Sequence, residues 1–316
     1  MIKKCKIKIF VLSILVLTIL FSGCLDVPHD KKWGIYSLDL ASEKIGLIYS
    51  STDKISNLGL NSIDNKFVFS QQINGQNNEN EEICTLNIVG DNLQRLTNNS
   101  YWDIYPVWSS DGKNIAFLSL RDTDLDIYVM DSNGDNSHLL FDSGSHDADI
   151  NWVGNTIVFT SKSCIWKIDD DGKNPIQITN PPRAGEWGNA NLPFGDYDPR
   201  ISPDGNKIVF ERLENDTSIH GNYNFFIIDI DGSNEIRLTD NYYSQGIASW
   251  SNSGDKLVYT VAAINDVGKY DLYMMNSDGS DNHDVTPKYF PDDFLCHSPT
   301  FSKDDSKIYF IGEWWE

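Results

Sequence analysis

Short apolar runs separated by glycine-containing turns dominate this chain from about residue 33 onward. No window of useful length shows the 3.6-residue periodicity of an amphipathic helix, and β-rich runs alternate instead with Asp-Gly, Asn-Gly and Ser-Gly turns. Core runs such as NKIVF and NIAFL are apolar at successive positions, which is typical of strands covered on both faces. The pattern predicts an all-β chain.

One unit of about 48 residues recurs along the chain. Its first half ends on an aromatic residue, and these aromatics lie 42 to 51 residues apart, at Phe69, Phe117, Phe159, Phe210, Tyr259 and Phe310. Its second half is a strand pair joined by a tight turn, as in LDIYVMDSNGDNSHLL (125–140). In the SPDG turn at 202–205, Pro presets φ and Gly takes the left-handed position. These signals predict six units of four strands each.

The sixth unit lacks its last two strands, because six residues follow Phe310. At the other end of the chain, residues 33–50 carry the Ile-Tyr-x-x-Asp pattern of a second half. We predict that this N-terminal pair completes the C-terminal blade and closes a ring. Residues 33–316 would then form a single six-bladed β-propeller with about 47 residues per blade, within the range of propeller repeats.

The N-terminus has the features of a secretory signal. Residues 1–8 hold four lysines and no acid, and the 13-residue apolar run Ile9–Phe21 follows. That run is too short to span a bilayer but fits the hydrophobic region of a signal peptide. Ser22, Gly23 and Cys24 come next, and this small-small-Cys sequence resembles a lipobox, where lipoprotein signal peptidase cuts before a lipidated cysteine.

The resemblance implies a signal peptide over 1–23, lipidation of Cys24 and a polar tether over 24–32. Two acyl chains would hold the protein stably on the outer face of the cytoplasmic membrane or in the cell envelope, with the lipid bilayer as a partner through Cys24. The alternatives are an ordinary signal peptide and an uncleaved N-terminal anchor.

Charge excludes one class of partner. The chain has 46 acidic and 25 basic residues and a formal charge of −21, with no basic stripe for phosphate contacts, so we expect no nucleic acid to bind. Five cysteines in 316 residues are too few for a disulfide-stapled scaffold. Besides Cys24, we expect Cys84, Cys164 and Cys296 to be buried free thiols, and we expect the protein to be a monomer.

The chain shows no catalytic motif. Acidic turns such as those at 169–172, 229–232 and 278–281 lack the spacing of a calcium-binding EF-hand, and we expect their carboxylates to cap the turns. The six histidines show no zinc-ligand spacing, and no nucleophile-base set or paired carboxylates stand out. We therefore predict a protein that is not an enzyme, with no catalytic residue, metal or cofactor. Two N-glycosylation sequons, at 98–100 and 215–217, carry meaning only in a glycosylating host.

The SPDG-type turn before an apolar strand and the DIYVMD-type outer hairpin resemble the WD-repeat-like propeller family of TolB, a periplasmic protein. The resemblance covers nearly all of residues 33–316 and implies architecture more than function. TolB-like proteins carry an α/β domain ahead of the propeller, and about eight residues lie here between Cys24 and the first strand. The propeller of prolyl oligopeptidases is similar too, but the G-x-S-x-G elbow of their hydrolase domain is missing.

Long connections identify a candidate binding surface. In a propeller the connections between blades share one face with those between the second and third strands of each blade, and we call this face the rim. Its loops hold aromatic and acidic residues, and the candidate binding residues are Trp102, Asp103, Tyr105, Trp187, Tyr242, Tyr243 and Asp292.

These rim residues suit the recognition of a protein, peptide or glycan. The other interpretation is that several of these aromatics fold back over the channel. We predict a TolB-like module that binds a protein or a cell-envelope polymer without catalysis. The alternative is a glycan- or peptide-processing enzyme that uses the channel mouth, and buried ionisable groups in the channel would favour it.

Overall fold

The computed structural model describes residues 31–61, 63–73, 80–187, 193–215, 222–240, 244–262, 270–291 and 293–315. All of the regular structure in these residues is strand. No helix in this part of the chain is long and apolar enough to cross a membrane. The predicted signal peptide and Cys24 lie outside the described residues.

Twenty-four strands form six antiparallel sheets of four strands each. The chain begins with β1 (Lys31–Asp39) and β2 (Lys44–Ser51), which belong to the last blade. Blade 1 consists of β3 (Ile55–Asn61), β4 (Lys66–Gln72), β5 (Glu81–Asn87) and β6 (Gln94–Arg95). Blade 2 consists of β7 (Asp103–Trp108), β8 (Asn114–Ser119), β9 (Asp126–Asp131) and β10 (His138–Phe141). Blade 3 consists of β11 (Asp147–Val153), β12 (Thr156–Ser161), β13 (Cys164–Asp169) and β14 (Ile176–Gln177).

Blades 4 to 6 complete the ring. Blade 4 consists of β15 (Gly195–Ile201), β16 (Lys207–Asn215), β17 (Asn222–Asp229) and β18 (Ile236–Arg237). Blade 5 consists of β19 (Ser244–Trp250), β20 (Lys256–Ala262), β21 (Tyr270–Asn276) and β22 (His283–Asp284). Blade 6 contains β23 (Leu295–Phe301) and β24 (Lys307–Trp315) besides β1 and β2. The fold is an all-β, six-bladed propeller, as the sequence predicts. The outermost strands of blades 1, 3, 4 and 5 are two residues long, which limits the exposed sheet edge.

Blade 6 closes the ring in the predicted way. Its strand order is β2-β1-β24-β23, and β1 pairs with β24 from Lys31 opposite Trp315 to Asp39 opposite Lys307. β1 begins two residues before the predicted start, so the end of the predicted tether is strand. The reason is local: the Lys31 ammonium pairs with Glu313 and lies 5.0 Å from the centre of the Trp315 ring.

The second strand of each blade is buried at successive positions, as its unbroken apolar sequence predicts. Phe67 to Phe69 on β4 and Ile208 to Phe210 on β16 have no exposed side chain, because each sheet is covered by the blades on both sides. Cys84, Cys164 and Cys296 are buried and unbridged, as expected.

A threonine that ends four of the repeat units has a structural role. Its hydroxyl accepts a hydrogen bond of 2.8 to 2.9 Å from a backbone amide near the start of the third strand, in the pairs Thr97–Ile83, Thr179–Ile165, Thr239–Phe225 and Thr286–Leu272. In these four blades the bond joins the start of the connection to the next blade to the third strand of its own blade. It therefore fixes where the rim loops begin.

Candidate functional site

The innermost strand of every blade bends at a β-bulge beside the central channel. The strand register shifts there in all six blades. One residue per bulge has a left-handed φ of 47° to 58°, and these residues are Asn57, Tyr105, Asp149, Asp198, Ile247 and Ser298. Proline follows the bulge residue in blades 2, 4 and 6, which suits an edge strand because proline has no amide to donate. The bulges bring six side chains of different chemistry around one axis.

Three bulge residues meet in a buried ionisable cluster. The Tyr105 hydroxyl donates to Asp198 Oδ1 at 2.5 Å, and the Asp198 amide donates to Asp149 Oδ2 at 3.3 Å. Arg200, two residues after the bulge of blade 4, places a guanidinium nitrogen 3.3 Å from Asp198 Oδ1. Both Asp149 and Asp198 have exposures of 2% or less. Paired carboxylates therefore do exist in this chain, contrary to the sequence analysis.

Glu211 on β16 adds a third carboxyl group to the cluster. One of its oxygens accepts a hydrogen bond from the Ile247 amide, at the bulge of the next blade, and the other faces no donor among the described residues. Asp198 Oδ2 likewise has no hydrogen-bond partner among the described residues, so each of these two carboxyl groups has one buried oxygen without a donor.

Burial dominates the electrostatics of the cluster. It raises the pKa of Asp149, Asp198 and Glu211, because each charged form loses its hydration, and neighbouring carboxylates raise the pKa of Asp149 and Glu211 further. The Arg200 guanidinium opposes these shifts. Burial and the Asp198 carboxylate likewise raise the pKa of Tyr105 well above its ordinary value.

A cavity of about 200 Å³ occupies the channel next to the cluster. All six innermost strands line it, mostly with residues at and after the bulges, toward the face opposite the rim. Its walls are largely apolar or neutral, as at Leu60, Trp152 and Thr300, and the charged residue among them is Arg200. Of the cluster, therefore, Tyr105 and Arg200 reach the cavity, whereas the three carboxyl groups lie behind them.

The predicted rim residues separate into exposed and buried groups. Trp187 is 58% exposed, and Trp102 is half-buried. Asp103 is fully buried and accepts hydrogen bonds from the Ser119 hydroxyl at 2.5 Å and the Asn99 amide at 2.6 Å. Tyr105 points into the channel rather than to the surface. Asp103 and Tyr105 are thus buried in the structure rather than exposed in a loop, because both belong to β7, which begins at Asp103. Tyr242, Tyr243 and Asp292 lie outside the described residues.

Exposed aromatic residues identify the rim more directly. Among the described residues, the large aromatics with well-exposed side chains are Tyr101, Trp187 and Tyr289. All three lie in connections between blades, on the same face of the propeller. The sequence analysis passed over Tyr101, although it stands beside Trp102 in the connection from blade 1 to blade 2.

The acidic turns have the structural role that the sequence predicts. In each, an aspartate side chain accepts the amide two residues ahead, as Asp171 does from Lys173, Asp231 from Ser233 and Asp278 from Ser280. Hydrogen bonds from the side chains of Lys173, Ser233 and Ser280, and then those from these amides, lower the pKa of the three aspartates. A large part of the negative charge therefore belongs to turns.

Comparison with known proteins shows what this propeller is similar to. No protein-family model matches the chain. A structure of a candidate TolB from Agrobacterium tumefaciens superposes with a TM-score of 0.70 and 16% identity, covering 90% of this chain and 99% of that one. TolB from Acinetobacter baumannii gives a TM-score of 0.65 with 18% identity, covering 85% of this chain and 66% of that TolB. The fold is that of the TolB propellers.

The chain is also similar to an uncharacterized relative and to an enzyme structure. An uncharacterized protein of Agrobacterium fabrum is 30% identical over 191 residues, which are 56% of this chain and 60% of that protein. The chain thus spans less than two thirds of this relative. An oligogalacturonate lyase in complex with manganese shares the fold with a TM-score of 0.58 and 14% identity, covering 89% of this chain and 82% of the lyase. At 14% identity the likeness to the lyase extends to the fold alone.

Proposed function

We propose that this protein is a non-catalytic binding module of the cell envelope, anchored to a membrane through lipidated Cys24, that captures a protein or an envelope polymer on its rim. The observation that carries the proposal is the placement of Tyr101, Trp187 and Tyr289. Well-exposed aromatic side chains cluster at recognition surfaces because they bury much area at a small cost in side-chain entropy. The similarity to TolB propellers and the lipobox-like sequence support an envelope location.

The first prediction concerns these three aromatics. Replacing Tyr101, Trp187 and Tyr289 together with alanine should weaken partner capture by at least tenfold, because each anchor that is lost costs about 1 kcal/mol or more. The measurement is cross-linking of the purified protein to envelope extract, followed by quantitative mass spectrometry of the cross-linked species.

The chain offers a matched control. Leu139, Ile176 and Ile236 are exposed apolar residues on the outermost strands β10, β14 and β18, away from the rim. Their triple alanine variant should retain every cross-linked partner. If the rim variant kept the wild-type set of partners, or if both variants lost it equally, the rim would not be the binding face.

The buried cluster favours a second candidate, an enzyme that acts on an anionic glycan. Arg200 could bind a carboxylate in the cavity, and Tyr105 could exchange a proton, although the three carboxyl groups do not reach the cavity. An oligogalacturonate lyase is one of the structures that share the fold. Release of unsaturated products from oligogalacturonate, abolished by Arg200→Lys, would favour this enzyme over the binding module.

A further inference from the structure

The connection from β8 to β9 carries alternating aspartates. In the sequence DTDLD, Asp122 is exposed, Asp124 is half-buried and Asp126 is buried, yet one carboxylate oxygen from each lies within 4.8 Å of the others. This is the spacing of the first three ligand positions of an EF-hand loop. The later EF-hand positions, six and twelve, would be Ile127 and Asn133, so the loop is not an EF-hand.

Asp126 distinguishes this group from an ordinary acidic turn. Its side chain is 2% exposed, and its Oδ1 has no hydrogen-bond partner among the described residues. The charged residues that act on Asp126 are all acidic, namely Asp142, Asp122, Asp124 and Asp147. A buried carboxylate surrounded by like charges is costly unless a cation neutralises it.

A second connection between blades holds the loop in place. The Asp147 amide donates to the Leu125 carbonyl at 2.8 Å, and the Leu125 amide donates to His146 Nδ1 at 3.0 Å. These bonds join the β8–β9 and β10–β11 connections, which both belong to the rim. Asp147 is also fully buried with an unpartnered Oδ1. Two buried carboxylate oxygens without donors thus lie at the first residues of β9 and β11, where these hydrogen bonds join the two preceding connections.

We propose that Asp122, Asp124 and Asp126 bind a calcium ion at the rim of blade 2. The three side chains supply oxygen ligands alone, which suits a hard cation rather than zinc or copper. Calcium fits better than magnesium because it accepts irregular sets of six to eight oxygens, whereas magnesium demands an octahedron and dehydrates reluctantly. The ion would neutralise Asp126 and complete the surface between blades 2 and 3. The sequence alone predicts no metal site.

Calcium chloride is the probe. Isothermal titration of metal-free wild-type protein should show one site with a dissociation constant of about 10⁻⁴ to 10⁻³ M, as in extracellular calcium modules. Addition of 10 mM calcium chloride should raise the melting temperature by roughly 3 °C, and magnesium chloride at the same ionic strength should raise it less. The double variant Asp122→Asn/Asp124→Asn should lose both the heat of binding and the shift.

Two further variants make the test specific. Asp171→Asn/Asp278→Asn changes the net charge equally at turns far from the site and should keep the full calcium response. Asp126→Asn should melt above wild type without calcium, because it removes a buried charge, and should gain nothing when calcium is added. An equal calcium shift in the wild type and Asp122→Asn/Asp124→Asn, no binding by wild type at 10 mM, or a larger response to magnesium would overturn the proposal.

Discussion

Single residues at one repeated position give this propeller its chemistry. Each innermost strand has a bulge, yet the bulge residue is asparagine, tyrosine, aspartate, isoleucine or serine according to the blade. The sequence could not reveal the bulges, because most non-glycine residues adopt a left-handed φ only when the surrounding structure compensates for the strain. Asp149 and Asp198 stand 49 residues apart and meet only when blades 3 and 4 pack against each other.

The cluster predicts an unusual dependence of stability on pH. The pKa of Glu211 is higher in the folded than in the unfolded protein. The contribution of Glu211 to the free energy of unfolding is therefore complete below the unfolded pKa and is lost as pH rises through the folded pKa. A pKa raised by one in the folded protein lowers the free energy of unfolding by about 1.4 kcal/mol at high pH. Wild-type protein should therefore melt at a higher temperature at pH 5.5 than at pH 8.

Glu211→Gln isolates this effect, because glutamine keeps an oxygen to accept the Ile247 amide but cannot titrate. The variant should melt above wild type at pH 8 and with a shallower dependence on pH. Asp204→Asn is the control, since hydrogen bonds from Ser202 and Asn206 lower the pKa of Asp204 and place its titration below this pH window. A slope that Glu211→Gln leaves unchanged in differential scanning calorimetry would contradict the assignment.

At the scale of elements, the closing sheet depends on aromatic contacts between the two ends of the chain. The Tyr36 ring on β1 lies 5.5 Å from Phe294, 5.6 Å from Phe310 and 5.9 Å from Trp314, measured between centroids. Gly312 makes room for this group, because a Cβ there would lie 2.4 Å from Phe294. The contacts join β1 to β24 and to the loop before β23.

Removing the Tyr36 ring should therefore weaken the whole ring. Tyr36→Ala should lower the free energy of unfolding by about 2 to 4 kcal/mol, as large-to-small substitutions in aromatic cores do. Leu47→Ala on the neighbouring β2 is the control and should cost less than about 0.5 kcal/mol, because Leu47 is 55% exposed. Urea denaturation measures both; similar losses would show that the closing sheet does not depend on this cluster.

At the scale of the whole molecule, architecture was predictable and the site was not. The recurring aromatics and the turn chemistry predict six blades because they are local signals that recur along the chain, and the missing half-unit predicts the closure. The buried cluster needs contacts among β7, β11, β15 and β16, and no local pattern marks which acids of a chain with 46 will meet. Rim aromatics were predictable as a class, but Asp103 and Tyr105 are buried because they belong to β7 and not to the connection before it.

Lys31 pairs with Trp315 in the antiparallel ladder of β1 and β24. The start of β1 and the end of β24 therefore lie side by side, as the two strands of a hairpin do next to its turn. A turn of a few residues could join them, and new termini could then open in the connection between β4 and β5. Blade 1 would become the sheet built from both ends, two strands from each, as blade 6 is here.

We expect this circular permutant to fold to the same propeller and to unfold in one cooperative transition. Circular dichroism and calorimetry would measure this, and a permutant that stayed unfolded would show that closure at blade 6 cannot be replaced. If the permutant folds, the propeller does not require its termini in blade 6, and the termini can be moved to another blade without changing the rim loops.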